Sequence, residues 1–363
     1  MPLLPRRNIA DLKECKHGGL DYAELERLGI APDAVIDFSV NLSPSGVPLG
    51  IRPLVKSIRL LRYPDSQSIK LRSMIARKTG LSVSNVMVGS GSTEIIRLVA
   101  LAYLNETDNA LIMEPTYGEY RVACEIAGAQ VITQTLSAED AFSPDIDITI
   151  ELIKRIEPKV IFICNPNNPT GGYLNQNRFQ RILSVAPDSL VVLDEAYISF
   201  VRQSWSSPEL INKGNLLIVR SMTKDYALAG LRLGYALAGE KIIETLRRVC
   251  PPWNVDVVAQ HAGIVALQQE NYLKESQELV YDGKRYLTKG IRKLGFRCLP
   301  SKTNFFLVEV GNASELRNQL LARGILVRDC TSFGLPECIR IASRTIRENR
   351  KLITALKEIN DEK

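Results

Sequence analysis

Between residues 85 and 238 one pattern recurs: a short, nearly unbroken apolar run, then a turn, then a stretch with helical spacing. The runs occupy 85–90, 109–113, 129–135, 159–165, 189–196, 215–221 and 232–238. Several of them lack a polar face, as expected of strands that helices cover on both sides. Strand–helix alternation of this kind builds an α/β sandwich around a mainly parallel sheet. The segment "STEIIRLVALAYL" (92–104) has the spacing of one covering helix, with Ser92 or Thr93 placed to cap its start. The pattern breaks at "VCPPWNVDVVAQHAG" (249–263), where two prolines intervene before a new helix. Beyond it, long helical stretches and the runs 304–310, 324–329 and 338–343 suit a smaller α+β unit. Residues 1–48 read as an arm with one short helix, 21–29. The expected organisation is an arm over 1–48 that joins the small domain, a large domain over 49–255 and a small domain over 256–363.

Composition narrows the function classes. The apolar stretches 110–113 and 160–164 fall far short of the ~20 residues a membrane helix needs. The N-terminal segment has no apolar core of signal-peptide type, so a cytoplasmic protein is expected. Seven cysteines, at 15, 124, 164, 250, 298, 330 and 338, show no metal spacing and read as reduced thiols. Two histidines, His17 and His261, are too few for a His-rich metal centre, and no metal is expected. The net charge of +6 is spread along the chain without a basic block. That argues against nucleic acid as a partner and is compatible with small anions.

Four segments carry chemistry. In "VGSGSTEII" (88–96) a Gly-Ser-Gly-Ser-Thr turn leads from strand to helix, where free N–H groups and the helix dipole favour an anion at Gly91, Ser92 and Thr93. An ordinary strand–helix turn is the competing reading. "NPNNPTGG" (165–172) turns at the end of an apolar strand, where α/β sheets bind ligands and where Asn168 can offer its amide. "VVLDEAYISF" (191–200) ends a buried strand with Asp194, Glu195 and Tyr197. A carboxylate there is costly unless paired. It can ligate a metal, cap a helix or face a cationic ring nitrogen. "SMTKDYALAGLRLGY" (221–235) sets Lys224 among small and apolar residues, with Ser221 and Arg232 nearby. A desolvated lysine has a lowered pKa and attacks aldehydes, and a hydroxyl with a guanidinium suits phosphate. All four segments answer one ligand, pyridoxal phosphate.

Taken in order, G-S-G-S-T, P-T-Y (115–117), N-P-x-N-P-T-G, D-E-A-Y and S-x-x-K with Arg232 resemble the aspartate-aminotransferase-like, fold-type-I pyridoxal-phosphate enzymes. The resemblance covers nearly the whole chain. It implies that Lys224 carries the cofactor covalently and that Asp194 keeps the pyridine nitrogen protonated. Asn168 and Tyr197 would hold the ring's phenolic oxygen, and Tyr117 would stack on the ring. Gly91, Ser92, Thr93, Ser221 and Arg232 would bind the phosphate. Tyr63, in "LRYPD", would reach the phosphate of a partner subunit, which implies a homodimer with shared active sites.

For the substrate, the same resemblance assigns Arg340 in "CIRIASRT" (338–345) to a carboxylate. Arg328 in "GILVRDCTSFGLPE" (324–337) adds a second cation. "KHGGL" (16–20) offers His17 and the N–H groups of its Gly18 turn to an anion, and Asn41 can orient a carboxylate. Within the family these arm and tail features resemble the threonine-phosphate decarboxylases of cobalamin biosynthesis. The expected reaction is therefore decarboxylation of L-threonine O-3-phosphate to (R)-1-aminopropan-2-ol O-2-phosphate. The histidinol-phosphate aminotransferases share every cofactor motif, and transamination with 2-oxoglutarate, by such an enzyme or by another amino-acid transaminase, is the alternative.

Overall fold

The computed structural model describes residues 3–362. All seven apolar runs are strands of one sheet, in the order Val86–Ser90, Leu233–Ala238, Leu216–Ser221, Leu190–Asp194, Val160–Cys164, Asn109–Glu114, Gln130–Thr135. Leu233–Ala238 runs antiparallel to both of its neighbours, and the remaining pairings are parallel. Val160–Cys164, Leu190–Asp194 and Leu216–Ser221 are buried almost throughout, because side chains on both faces meet helices.

The helix Gly91–Tyr103 forms as its apolar spacing predicts, but its start differs from the expectation. Ser90 is the N-cap residue, without a side-chain cap, and Glu94 accepts the Ser90 N–H at 2.7 Å. Ser92 and Thr93 thus sit inside the first turn. Their hydroxyls are not spent on capping, and the N–H groups of the helix start remain available.

The second sheet is antiparallel, in the order Arg328–Asp329, Cys338–Ala342, Phe305–Glu309, Arg297–Cys298. The run 324–329 splits at Val327. Ile325–Leu326 pairs in parallel with Ile36–Asp37 of the arm, while Arg328–Asp329 joins the antiparallel sheet. Helices Tyr272–Lys293 and Ile346–Asp361 cover that sheet and share its core with Phe38 of the arm. The helix Val257–Gln268, capped by Asp256, packs instead with the core of the seven-stranded sheet through Ala259, Ala262 and Ala266. We propose that the two domains divide after this helix rather than at residue 255. Among the described residues, no helix is long and apolar enough to cross a membrane.

The helix Tyr272–Lys293 meets the Ser343–Arg344 turn at Gly283. A Cβ there would press on Ser343 Oγ and lie 2.7 Å from the Arg344 carbonyl oxygen. In a free helix, Gly→Ala stabilises by about 1 kcal/mol. Overpacking against backbone costs about 1–3 kcal/mol, so the sign reverses here. Gly283→Ala is expected to lower the urea midpoint; an unchanged or raised midpoint would contradict this packing.

Candidate active site

Cys164 and Asp194 end adjacent parallel strands in register, and Lys224 follows the end of the next strand in the short helix Met222–Asp225. A cleft of about 580 Å³ lies at these carboxyl ends. Its wall brings together His17, Gly18, Asn41, Ser92, Thr93, Tyr117, Asn168, Asp194, Tyr197, Lys224, Arg232, Arg328 and Arg340. Residues from the arm, from the seven-stranded sheet and from the small sheet therefore face one space.

The centre of the cleft is a dry carboxylate beside an amine. Asp194 is 3% exposed. The Tyr120 hydroxyl donates to its Oδ2 at 2.7 Å, and the Ala196 N–H donates to its Oδ1 at 2.9 Å. Burial pushes this carboxyl up to about 6, against the pull of those two donors. Both donors are neutral, so a cation in front of Asp194 is favoured. Lys224 is half-buried. Desolvation first, and then the charges of Arg340 and Arg232, lower its ammonium to about 8. Tyr117 bonds Thr93 through its hydroxyl at 3.0 Å and meets Tyr120 edge-on at 5.6 Å. Asn41 Nδ2 donates to the Tyr197 hydroxyl at 3.0 Å, and burial raises that phenol to about 12. Among the described residues, the buried Asn41 Oδ1 has no donor.

One end of the cleft brings the start of the helix Gly91–Tyr103 up to Arg232. Gly91 adopts φ +76°, a conformation open to glycine. A Cβ on it would fall 2.6 Å from Arg232 Nη2, so its absence lets the guanidinium lie against the helix start. At the other end are two more arginines. Arg340 and Arg328 sit directly opposite each other on paired strands, 5% and 9% exposed. Arg340 donates to Asn168 Oδ1 and, at 2.6 Å, to the Ser39 carbonyl, while its buried Nε finds no acceptor among the described residues. Arg328 donates to the Lys16 and His17 carbonyls at 2.8 and 3.2 Å and to Ser332 Oγ at 2.6 Å. The hydrogen bonds of these arginines and of Arg232 go to neutral oxygens, which leaves their charge for anionic ligands. The His17 imidazole contacts Glu119 Oε1 at 3.0 Å, and Arg97 holds Glu119 Oε2 at 2.9 Å.

Three residues of the motifs lie off the cleft wall. Gly91 acts from behind, through the room it makes for Arg232. The Ser221 hydroxyl is 2.7 Å from that of Thr223, and it is Thr223 that lines the cleft. Tyr63 is 78% exposed, stacks on Trp253 at 4.5 Å and is not part of this wall. Cys164 and Thr223 also line the cleft although neither stood out in the sequence. Both are direct neighbours of motif residues, Cys164 one place before N-P-x-N-P-T-G and Thr223 inside S-x-x-K. Glu119 follows two places after Tyr117 and had no signal of its own.

The donor set fits pyridoxal phosphate: an amine for the aldehyde, a carboxylate awaiting a cation, an aromatic face and a cup for a dianion. Comparison with known proteins agrees. The model of the family described as aminotransferase class I and II matches residues 37–356. A histidinol-phosphate aminotransferase of Thermoanaerobacter sp. is 37% identical, over 87% of this chain and 89% of that protein. The solved histidinol-phosphate aminotransferase of Clostridium acetobutylicum is 29% identical with a TM-score of 0.82, covering 90% of this chain and 99% of that one. The L-threonine-O-3-phosphate decarboxylase of Porphyromonas gingivalis is 28% identical with a TM-score of 0.78, over 89% and 99%. These relatives overturn the decarboxylase expectation, since curated sequences 32–37% identical over most of the chain are named histidinol-phosphate aminotransferase. The His-Gly-Gly turn that favoured decarboxylation has local causes in this fold. A Cβ on Gly18 would fall 2.6 Å from the Ser39 carbonyl oxygen, and the His17 ring is engaged by Glu119. The chain belongs to the class I and II aminotransferases, and pyridoxal phosphate is its cofactor.

Proposed function

We propose that the protein is a histidinol-phosphate aminotransferase that passes the amino group to 2-oxoglutarate. The observation that carries this reading is the pair of opposed arginines at slightly different depths, neither matched by a carboxylate. An aminotransferase must take two amino compounds in one site. Glutamate carries a carboxylate on Cα, whereas histidinol phosphate carries a phosphate one methylene and one oxygen further out. Arg340, the more buried of the two, suits the carboxylate through its planar fork. Arg328 and His17, nearer the mouth, suit the phosphate. Glu119, itself gripped by Arg97, fixes the His17 ring.

When bound, the cofactor supplies an electron-withdrawing ring that stabilises negative charge at the substrate Cα. Asp194 holds a proton on the ring nitrogen. Asn168 spends its Oδ1 on Arg340 and keeps its Nδ2 hydrogens for the ring's phenolic oxygen, which Tyr197 also approaches. Tyr117 packs on the ring face. Ser92, Thr93, Arg232 and the first turn of Gly91–Tyr103 hold the phosphate, with Gly91 and Ser221 supporting that cup. Lys224 would anchor the aldehyde, be freed when the substrate amine takes its place on that carbon, and then take the Cα proton at Nζ. Asn41 keeps Tyr197 and the substrate carboxylate in register. The exposed Tyr63 lies beside Leu60 and Leu61, 77% and 100% exposed, an apolar edge suited to a second copy of the chain. In a homodimer Tyr63 would serve the partner's phosphate cup.

The direct test is glutamate formation by the holoenzyme from histidinol phosphate and 2-oxoglutarate. Dephosphorylated histidinol is expected to lower kcat/KM by about a hundredfold, the worth of a charge-assisted contact or two. Equal turnover of the two would overturn the reading. Arg328→Ala is expected to raise KM for histidinol phosphate about tenfold while changing KM for glutamate less.

Lys224 must be neutral to capture the aldehyde. Because desolvation and the two arginines lower its ammonium to about 8, the neutral amine appears at lower pH than for an ordinary lysine. Capture of pyridoxal phosphate by apoenzyme should speed up about tenfold per pH unit below that value and level off above it. Stopped-flow absorbance measures this, and a plateau reached only in the ordinary lysine range would contradict the site. Shared active sites predict that Lys224→Ala and Tyr63→Ala chains, each poor alone, form mixed dimers with one native site and about half of native activity.

A further inference from the structure

Cys15 stands beside the His17–Glu119 pair and has no part in the aminotransferase reading. Cys15 Sγ, one imidazole nitrogen of His17 and one carboxylate oxygen of Glu119 all lie within 4.8 Å of one another. Sulfur, imidazole and carboxylate are the donor types of zinc. With zinc–ligand bonds of about 2.0–2.3 Å, tetrahedral ligands stand about 3.3–3.6 Å apart. His17 Nε2 and Glu119 Oε1 are 3.0 Å apart and Cys15 Sγ lies within 4.8 Å of both, so the first pair must open by a few tenths of an ångström and the thiol close in by up to about 1 Å to hold the ion.

The surroundings resemble a built site. Gly118 makes room for the thiol, since a Cβ there would lie 2.6 Å from Cys15 Sγ. Glu119 is buried and its other oxygen is held by Arg97 at 2.9 Å, which fixes the ligand oxygen as an outer partner does in metal sites. His17 is half exposed, and all three residues lie at or beside the cleft wall, which leaves a fourth position open to water.

We propose that Cys15, His17 and Glu119 bind one zinc-class divalent ion, which pins the arm to the helix Glu119–Ala127 and inhibits the enzyme. Binding releases the thiol proton to solvent and leaves thiolate and carboxylate to balance the ion's charge. The inhibition half rests on the role given to His17 above, because the metal takes the nitrogen that would meet the substrate phosphate. The binding half does not depend on that role.

Cobalt(II) is the probe, added to holoenzyme and followed by its thiolate charge-transfer absorption. One ion per chain is expected, displaced by zinc, with the band lost in Cys15→Ala and the affinity at least about tenfold weaker in Glu119→Gln. Cys250→Ala, at another half-buried thiol, should keep the band. An unchanged band in Cys15→Ala overturns the site, whatever the reaction proves to be. In the activity arm, zinc should raise KM for histidinol phosphate in the native enzyme and not in Cys15→Ala. Stoichiometric binding with unaltered KM would overturn the inhibition while leaving the site and the aminotransferase reading intact.

Discussion

A carboxylate and an amine kept dry at the ends of parallel strands set the terms for the rest of the molecule. Neither Asp194 nor Lys224 is at ease there: burial drives the first toward its neutral acid and the second toward its neutral amine. Such displacements cost stability and persist because the surrounding core over-determines the geometry. The strand Leu190–Asp194 is wholly buried between two neighbours, so the carboxylate has little freedom to leave. Tyr120, stacked on Phe162 at 5.0 Å, holds the carboxylate from below.

The two sheets are joined through the same cleft. Arg340 reaches from the small sheet to Asn168, in the turn after Val160–Cys164, and to Ser39 of the arm. Arg328 ties the same sheet to Lys16 and His17. Ser43 N–H meets the carbonyl of Lys224 itself at 2.9 Å. These contacts between the small unit and the large one therefore run through groups that line the cleft. In the roles proposed above, anions at Arg328 and Arg340 would relieve a like-charge contact between paired strands.

Much of the fold was legible because its strands are buried on both faces and therefore continuously apolar. The residues proposed for the cofactor, Tyr63 apart, stand out because each sits within a few places of a strand end. What escaped the sequence depends on distance along the chain. Glu119 meets His17 across more than a hundred positions, and nothing local marks either as the other's partner. The helix Val257–Gln268 follows a proline break, and its small alanines suit the close packing on the first core that its sequence position does not announce. Ser92 and Thr93 are good capping residues by type. They are displaced from that task because Glu94 takes it and because Thr93 bonds Tyr117. The reaction itself was misread for a deeper reason. The cofactor motifs are common to every bond that can break at Cα, and the arm features that tipped the balance serve packing as well as recognition.

The charges that lower the proton affinity of Lys224 are the ones its ligands neutralise. Arg340 and Arg232 both act to lower its ammonium, and Asp194 acts to raise it. In the roles proposed above, Arg232 faces the cofactor phosphate and Arg340 the substrate carboxylate. An anion on each cancels a repulsion felt at Nζ, and the amine's basicity rises, while burial, the larger cause, continues to hold it below that of an ordinary lysine. Before the ligands arrive, the amine gives up its proton at lower pH than an ordinary lysine and is the readier nucleophile near neutrality. With both in place it becomes a stronger base, at the stage where a proton must be taken from Cα. One side chain can thus serve two different tasks in sequence without moving to a different environment, because its environment is completed by what it binds.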